Sequence, residues 1–156
     1  MRRTAARLPR VAVACLAVAA LTAACGKVGT APTPTPADFG GIAIRLSALG
    51  IVASDIISGD PGCPDSNLAP TAVSFTASGL DQPTPVRIHV YIFANNDVQA
   101  RLRPDVDSCA RSYVTDPATY QSVDVPPYVA AGQGPWGKGF EDAMRNGLSQ
   151  ASQSGG

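Results

Sequence analysis

The chain of 156 residues carries 12 Lys and Arg against 12 Asp and Glu, a formal net charge of zero. Four of those cations, Arg2, Arg3, Arg7 and Arg10, lie in the first ten residues, so the chain beyond them holds eight cations against twelve acids and stands near minus four. That balance excludes nucleic acid as a partner, since phosphate binding needs a basic face. One histidine and scattered cysteines give no zinc set either.

The first segment, "MRRTAARLPR", is basic, and "VAVACLAVAALTAAC" after it is apolar and ends in small residues at Cys25. This is the pattern of a secretory signal, not of a folded element. A spanning helix needs about 20 predominantly apolar residues, and Gly26 and Lys27 end the run before that length. The ending "LTAAC", Leu21 to Cys25, resembles the lipobox of bacterial lipoprotein precursors, with Thr22 standing where a large aliphatic residue is commonest. The resemblance covers the signal region alone. It implies removal of residues 1–24, a diacylglyceryl thioether on Cys25 carrying acyl chains such as palmitate, and an extracytoplasmic site in the bacterial cell envelope with the membrane as partner. Acyl chains contribute about 0.8 kcal/mol per buried methylene, enough in combination to hold a protein on a membrane surface. Cys15 lies inside the apolar run with no polar segment behind it and takes no such role. Residues 25–37 then form a tether, because the alternating Pro and Thr of "APTPTPA" favour an extended spacer without a backbone ladder.

Residues 38–152 are of single-domain size, and 153–156 read as a disordered tail. In chain order, Phe39, Ile42, Ala43, Leu46 and Leu49 recur at helical spacing up to a stop at Gly50, despite Gly40 and Gly41 in the opening turn. A strand through Ile42, Ile44 and Leu46 is the rival pattern. "IVASDIIS" reads as a strand closed by the turn residues of "GDPGCPD". "TAVSFTAS" and "VRIHVYIFA" alternate through Val73, Phe75 and Ala77 and through Val86, Ile88, Val90 and Ile92, with the prolines of "GLDQPTP" outside the ladder. Asn95 or Asn96 caps a second helix, with a stripe through Val98, Leu102, Cys109 and Tyr113. Pro104 predicts a kink or a fresh helix start within it. "TDPATYQSVDVPP" reads as a connector, "YVAAG" as a short strand, and Phe140, Ala143, Met144, Gly147, Leu148 and Ala151 as one face of a closing helix. The expected architecture is α+β: a mainly antiparallel sheet of about four strands with helices packed on one face.

Cys63 and Cys109 remain beyond the signal, and in an oxidising compartment they read first as a disulfide, with two free thiols as the alternative. "GQGPWGKG", Gly132 to Gly139, fits a dinucleotide fingerprint and most of a phosphate-binding loop. The chain ends too soon after it for the second strand of a dinucleotide unit, and Gly139 stands where a magnesium-binding Ser or Thr belongs. No cofactor is expected. The same segment, with Tyr128, Gln133 and Trp136, is the candidate recognition surface, against the plainer assignment of Trp136 to the core edge. His89 is the one histidine, on the strand face that also carries Arg87, Tyr91 and Phe93, where a partly covered sheet residue is the plainer assignment than an acid or base. Asp105 and Asp107 read as residues of a helix start and not as a metal-binding pair. No serine stands in a nucleophile motif, so no catalytic residue is assigned. The chain therefore reads as a lipid-anchored, non-enzymatic binding or accessory module for an unidentified protein or small molecule. The alternative is an envelope hydrolase using His89 with a remote carboxylate or serine.

Overall fold

The computed structural model describes residues 39–154; Cys25, the signal and the tether lie outside them. The elements are α1 (Phe39–Ala48), β1 (Val52–Ser58), β2 (Ala72–Gly79), β3 (Gln82–Ile92), α2 (Asn96–Ala110), β4 (Tyr120–Val125), β5 (Tyr128–Gln133) and α3 (Lys138–Ser154), with 3-10 turns at Ala69–Thr71 and Pro117–Thr119. All five strands join one antiparallel sheet in the order β1-β2-β3-β5-β4. The described residues form a single α+β domain with its helices packed against the sheet.

Alternation decides which side chains meet. Val73, Phe75 and Ala77 of β2 stand opposite Val90, Ile88 and Val86 of β3, and Ala130 and Val123 continue the Val90 row across β5 and β4. On this face α1 lays down Phe39, Ile42 and Leu46, and α3 lays down Phe140, Ala143, Met144, Leu148 and Ala151, forming the larger core. Phe39 meets Phe75 at 5.1 Å between ring centroids. Gly147 sits in the apolar stripe of α3 for a packing reason: a Cβ there would fall 2.6 Å from Leu46 Cδ2, so the two helices approach closely only because it is absent.

The odd-numbered row of β3 faces the other way. Tyr91 and Phe93, with Ala72, Val129 and Ala131, are covered by Val106 and Cys109 of α2 and by Leu68 of the preceding loop, making a second, smaller core. Thus α1 and α3 share one face, while α2 takes part of the opposite one. Cys63 and Cys109 form a disulfide with Cα atoms 5.4 Å apart, which pins the 59–71 loop to α2.

Three local expectations are corrected. β3 begins at Gln82, so Pro83 and Pro85 belong to the strand. Because β5 pairs with β3 only between Ile88 and Ile92, the early part of β3 has an open side on which prolines lose no ladder bond. Helix α2 starts from Asn95, whose side chain accepts from Val98 N at 2.9 Å, and runs as one element through Pro104. The carbonyl that Pro104 leaves without a donor belongs to Ala100, an exposed residue, where the loss of one helix bond costs least. Asp105 and Asp107 therefore lie mid-helix and cap nothing. Finally, the expected connector contains β4, an edge strand in which Val123 alone is fully buried.

Candidate functional site

The glycine-rich segment forms the end of β5 and the entry to α3. The amides at the entry to α3 are already taken: Gly139 N and Phe140 N each donate to a carboxylate oxygen of Asp81 at 2.8 Å, and Gly137 N donates to Gln82 Oε1 at 3.2 Å. A Cβ on Gly137 would lie 2.4 Å from Asp81 Cγ. The glycines thus admit a carboxylate from the β2–β3 turn to the N-terminus of α3, where a phosphate would have to displace it. Those two amide hydrogen bonds hold Asp81 below the usual carboxylate range. Lys138 points away and pairs with Asp142 at 2.6 Å.

The structure does not gather the three expected recognition residues on one surface. Trp136 is 6% exposed, lies edge-on to Phe140 at 6.0 Å and donates from Nε1 to Gln133 O at 3.0 Å. Tyr128 packs partly buried against the same core from the opposite end of β5. Gln133 is the one that lines a cleft. We expect Trp136→Ala to destabilise the domain by about 3 kcal/mol in urea unfolding, the cost of deleting a well-packed indole. Lys138→Ala should leave the midpoint unchanged.

The chemistry-bearing residues meet instead around His89. Cross-strand register sets Ser74 directly opposite it and Arg87 opposite Thr76 on the same face. The loop after β1 then brings in Asp60, whose Oδ2 accepts from Ser74 Oγ at 2.5 Å and whose Oδ1 accepts from Gly62 N at 3.0 Å. Arg87 Nη2 donates to Ser74 Oγ and lies 3.5 Å from Asp60 Oδ2, while Nη1 donates to the Asp55 carbonyl at 3.0 Å. Asp55 has φ 50 and lies with Ile56 in the β1 bulge, so Arg87 reaches across β2 to hold the edge strand where it departs from regular pairing.

His89 is 3% exposed, with Nδ1 3.3 Å from the Asp60 carbonyl and Tyr113 stacked on its ring at 4.1 Å. Gly62, at φ 81, closes this packing, because a Cβ would fall 2.3 Å from Tyr113 and 2.8 Å from His89. Tyr91 OH donates to Pro61 O at 2.7 Å, which leaves Tyr113 as the donor in the 3.4 Å contact between the two hydroxyls. Burial pushes Tyr113 up to about 12 and Tyr91 higher still, so both stay protonated.

A histidine, a serine and a carboxylate thus lie within one cluster, but their connections differ from those of a catalytic triad. The Ser74 proton goes to Asp60, not to His89, and Ser74 is fully buried beneath Arg87 and the loop. The accessible part is a cleft of about 270 Å³ lined by Val86, Arg87, Tyr113, Gln133 and Gly134. There Gln133 Oε1 accepts from Thr115 N and Oγ1 at 3.2 and 3.0 Å, fixing the amide so that its nitrogen remains a donor. Sequence reasoning placed Arg87 and His89 on one face, gave Asp60 to turn formation, and gave Ser74 and Tyr113 no part in the cluster. Strand alternation carried a signal for Ser74 alone, a polar residue on the side opposite Val73 and Phe75.

The cluster gives the fold a definite response to acid. Burial pushes His89 below 6.5 against the opposing influence of Asp60, so as pH falls below that value the unfolded chain gains a proton that the folded one resists. For Asp60, burial alone would raise the carboxyl, but the Ser74 and Gly62 hydrogen bonds, with His89 and Arg87 nearby, hold it below 3.8. Its contribution is present above 3.8 and is lost as pH falls through the lower folded value. Urea unfolding against pH should show stability flat from 6.5 up to the approach to the ordinary tyrosine value of 10.0, a first decline below 6.5, and a second below 3.8. His89→Asn should remove the first decline; a profile identical to the native one would contradict the assignment.

The chain matches no family model, no curated protein and no solved structure.

Proposed function

We propose that this is a lipid-anchored, extracytoplasmic binding module of the bacterial cell envelope, held by Cys25 and the Pro and Thr tether, and that it binds rather than transforms its partner. The apolar run ending in "LTAAC" supports the anchor. One observation above others supports binding over hydrolysis: Ser74 and His89 are buried and already committed to Asp60 and Tyr113, while the cleft beside them offers Arg87 and the Gln133 amide to a ligand. A partly buried guanidinium, already paired with Asp60, and a neutral donor beside a tyrosine ring suit a small polar group.

The hydrolase alternative draws on the same cluster, and the two readings part on turnover. The purified full chain should release no more product from p-nitrophenyl esters, phosphates and glycosides than Ser74→Ala and His89→Asn do. Turnover that is lost in His89→Asn, with the melting curve retained, would establish the hydrolase instead.

A further inference from the structure

A second concavity lies away from the His89 cluster, between α2 and β4. Arg103, Asp107, Ala110, Arg111 and Val114 follow one another at helical spacing along one face of α2 and its exit, and Pro117 and Tyr120 form the opposing wall of a cavity of about 490 Å³. That size falls within the range of small-molecule sites, about 300–1,000 Å³.

The polar end of this cavity is rigid. Arg103 Nε and Nη2 donate to the two carboxylate oxygens of Asp124 at 2.7 and 3.2 Å, Nη2 also donates to Ser122 Oγ at 2.8 Å, and Nη1 donates to Asp107 Oδ1. Four of the five guanidinium hydrogens are thereby committed, leaving one on Nη1. Asp107 Oδ1 also accepts from Tyr120 OH at 2.8 Å, so its Oδ2 is left as an acceptor. Arg103 and Asp107, both lining the cavity and held in place, thus keep one donor and one acceptor beside the Tyr120 hydroxyl. Ala110 and Val114 continue the apolar wall, and the Arg111 side chain, also in the lining, has no partner among the described residues.

Charge narrows the ligand class. Arg103, Asp107 and Asp124 together leave one negative charge, which Arg111 offsets, so the groove has no net charge with which to select an ion. A carboxylate drawn to Arg111 would share the cavity with Asp107. A hydroxyl, by contrast, both donates and accepts, and adjacent hydroxyls on a ring match a donor beside an acceptor while the ring's C–H face rests on an aromatic surface. We propose that the α2–β4 groove binds a neutral saccharide, with Asp107 and Arg103 taking neighbouring hydroxyls, Tyr120 carrying the sugar face and Arg111 donating to a further oxygen.

The test uses the full chain in phospholipid nanodiscs on an array of neutral hexose, pentose and N-acetylhexosamine oligosaccharides, with acidic oligosaccharides and laurate alongside. Calorimetry on the best neutral binder follows. Saturable binding to a neutral glycan is expected, weakened roughly tenfold by Asp107→Asn and by Arg111→Ala, the loss of one hydrogen bond to a charged group. Arg111 is exposed and unpaired among the described residues, so that variant tests the groove even if Asp107→Asn loses the network around Arg103. No binding to any neutral glycan would overturn the proposal, as would neutral binding indifferent to both substitutions. Binding confined to laurate or acidic glycans and lost in Arg111→Ala would assign the groove to anions instead.

Discussion

Replacing Cys63 and Cys109 together with serine is expected to lower the unfolding free energy by about 4 kcal/mol, measured by urea unfolding at neutral pH. The bond closes a loop over a sequence separation of 46, and the chain-entropy model assigns roughly that sum to restricting an unfolded chain so linked. A native-state consequence accompanies it. The pinned loop carries Asp60, Pro61 and Gly62, which hold Ser74, Tyr91 and the His89–Tyr113 stack. Releasing it should loosen the second core first, so that the acid response assigned to His89 weakens in the same variant. A loss under about 1 kcal/mol would show that hydrogen bonds alone keep the loop in place.

A comparable loss is expected from Phe75→Ala, about 4 kcal/mol by the same measurement. Phe75 is fully buried near the middle of β2, stands opposite Ile88 and meets Phe39 of α1. Its truncation removes transfer free energy and leaves a cavity that the neighbouring strands and α1 fill poorly. Phe75→Leu, which restores most of the volume, should cost far less. If both substitutions cost the same, the site is loosely packed and the larger core is not organised around this contact.

The elements that were legible in the sequence are those with one regularly apolar face, whether or not the other face is also covered. Val73, Phe75 and Ala77, or Phe140, Met144 and Leu148, announce their period because the residues between them are small or polar. β4 did not, because Tyr120, Ser122 and Asp124 face Arg103 and Asp107, so its alternation runs between polar network and core at an edge with a single fully buried residue. The fresh helix start suggested by Pro104 is absent for a related reason: the cost of the proline is local, whereas the contacts of Val106 and Cys109 that keep α2 one element are tertiary.

The candidate site shows the same limit more sharply. "GDPGCPD" is sufficiently explained by turn chemistry, and nothing in that stretch announces that Asp60 will accept from a serine on the next strand. Asp81 caps a helix 58 residues later in the chain, a pairing beyond the reach of capping patterns, which span a few residues. "GQGPWGKG" therefore displayed its glycines while the carboxylate they accommodate stayed out of view. Geometry of this kind comes from register and sheet order, which bring β2, β3 and the intervening loops together.

The proposal that this domain works from a membrane surface rests on Cys25, and intact-mass spectrometry of the protein extracted from the envelope fraction tests it most directly. The mature chain should begin at Cys25 and carry the added mass of a diacylglyceryl thioether, and Cys25→Ser should abolish that species. A mature chain that begins at any other residue, or an unmodified Cys25 in membrane-bound material, would contradict the account.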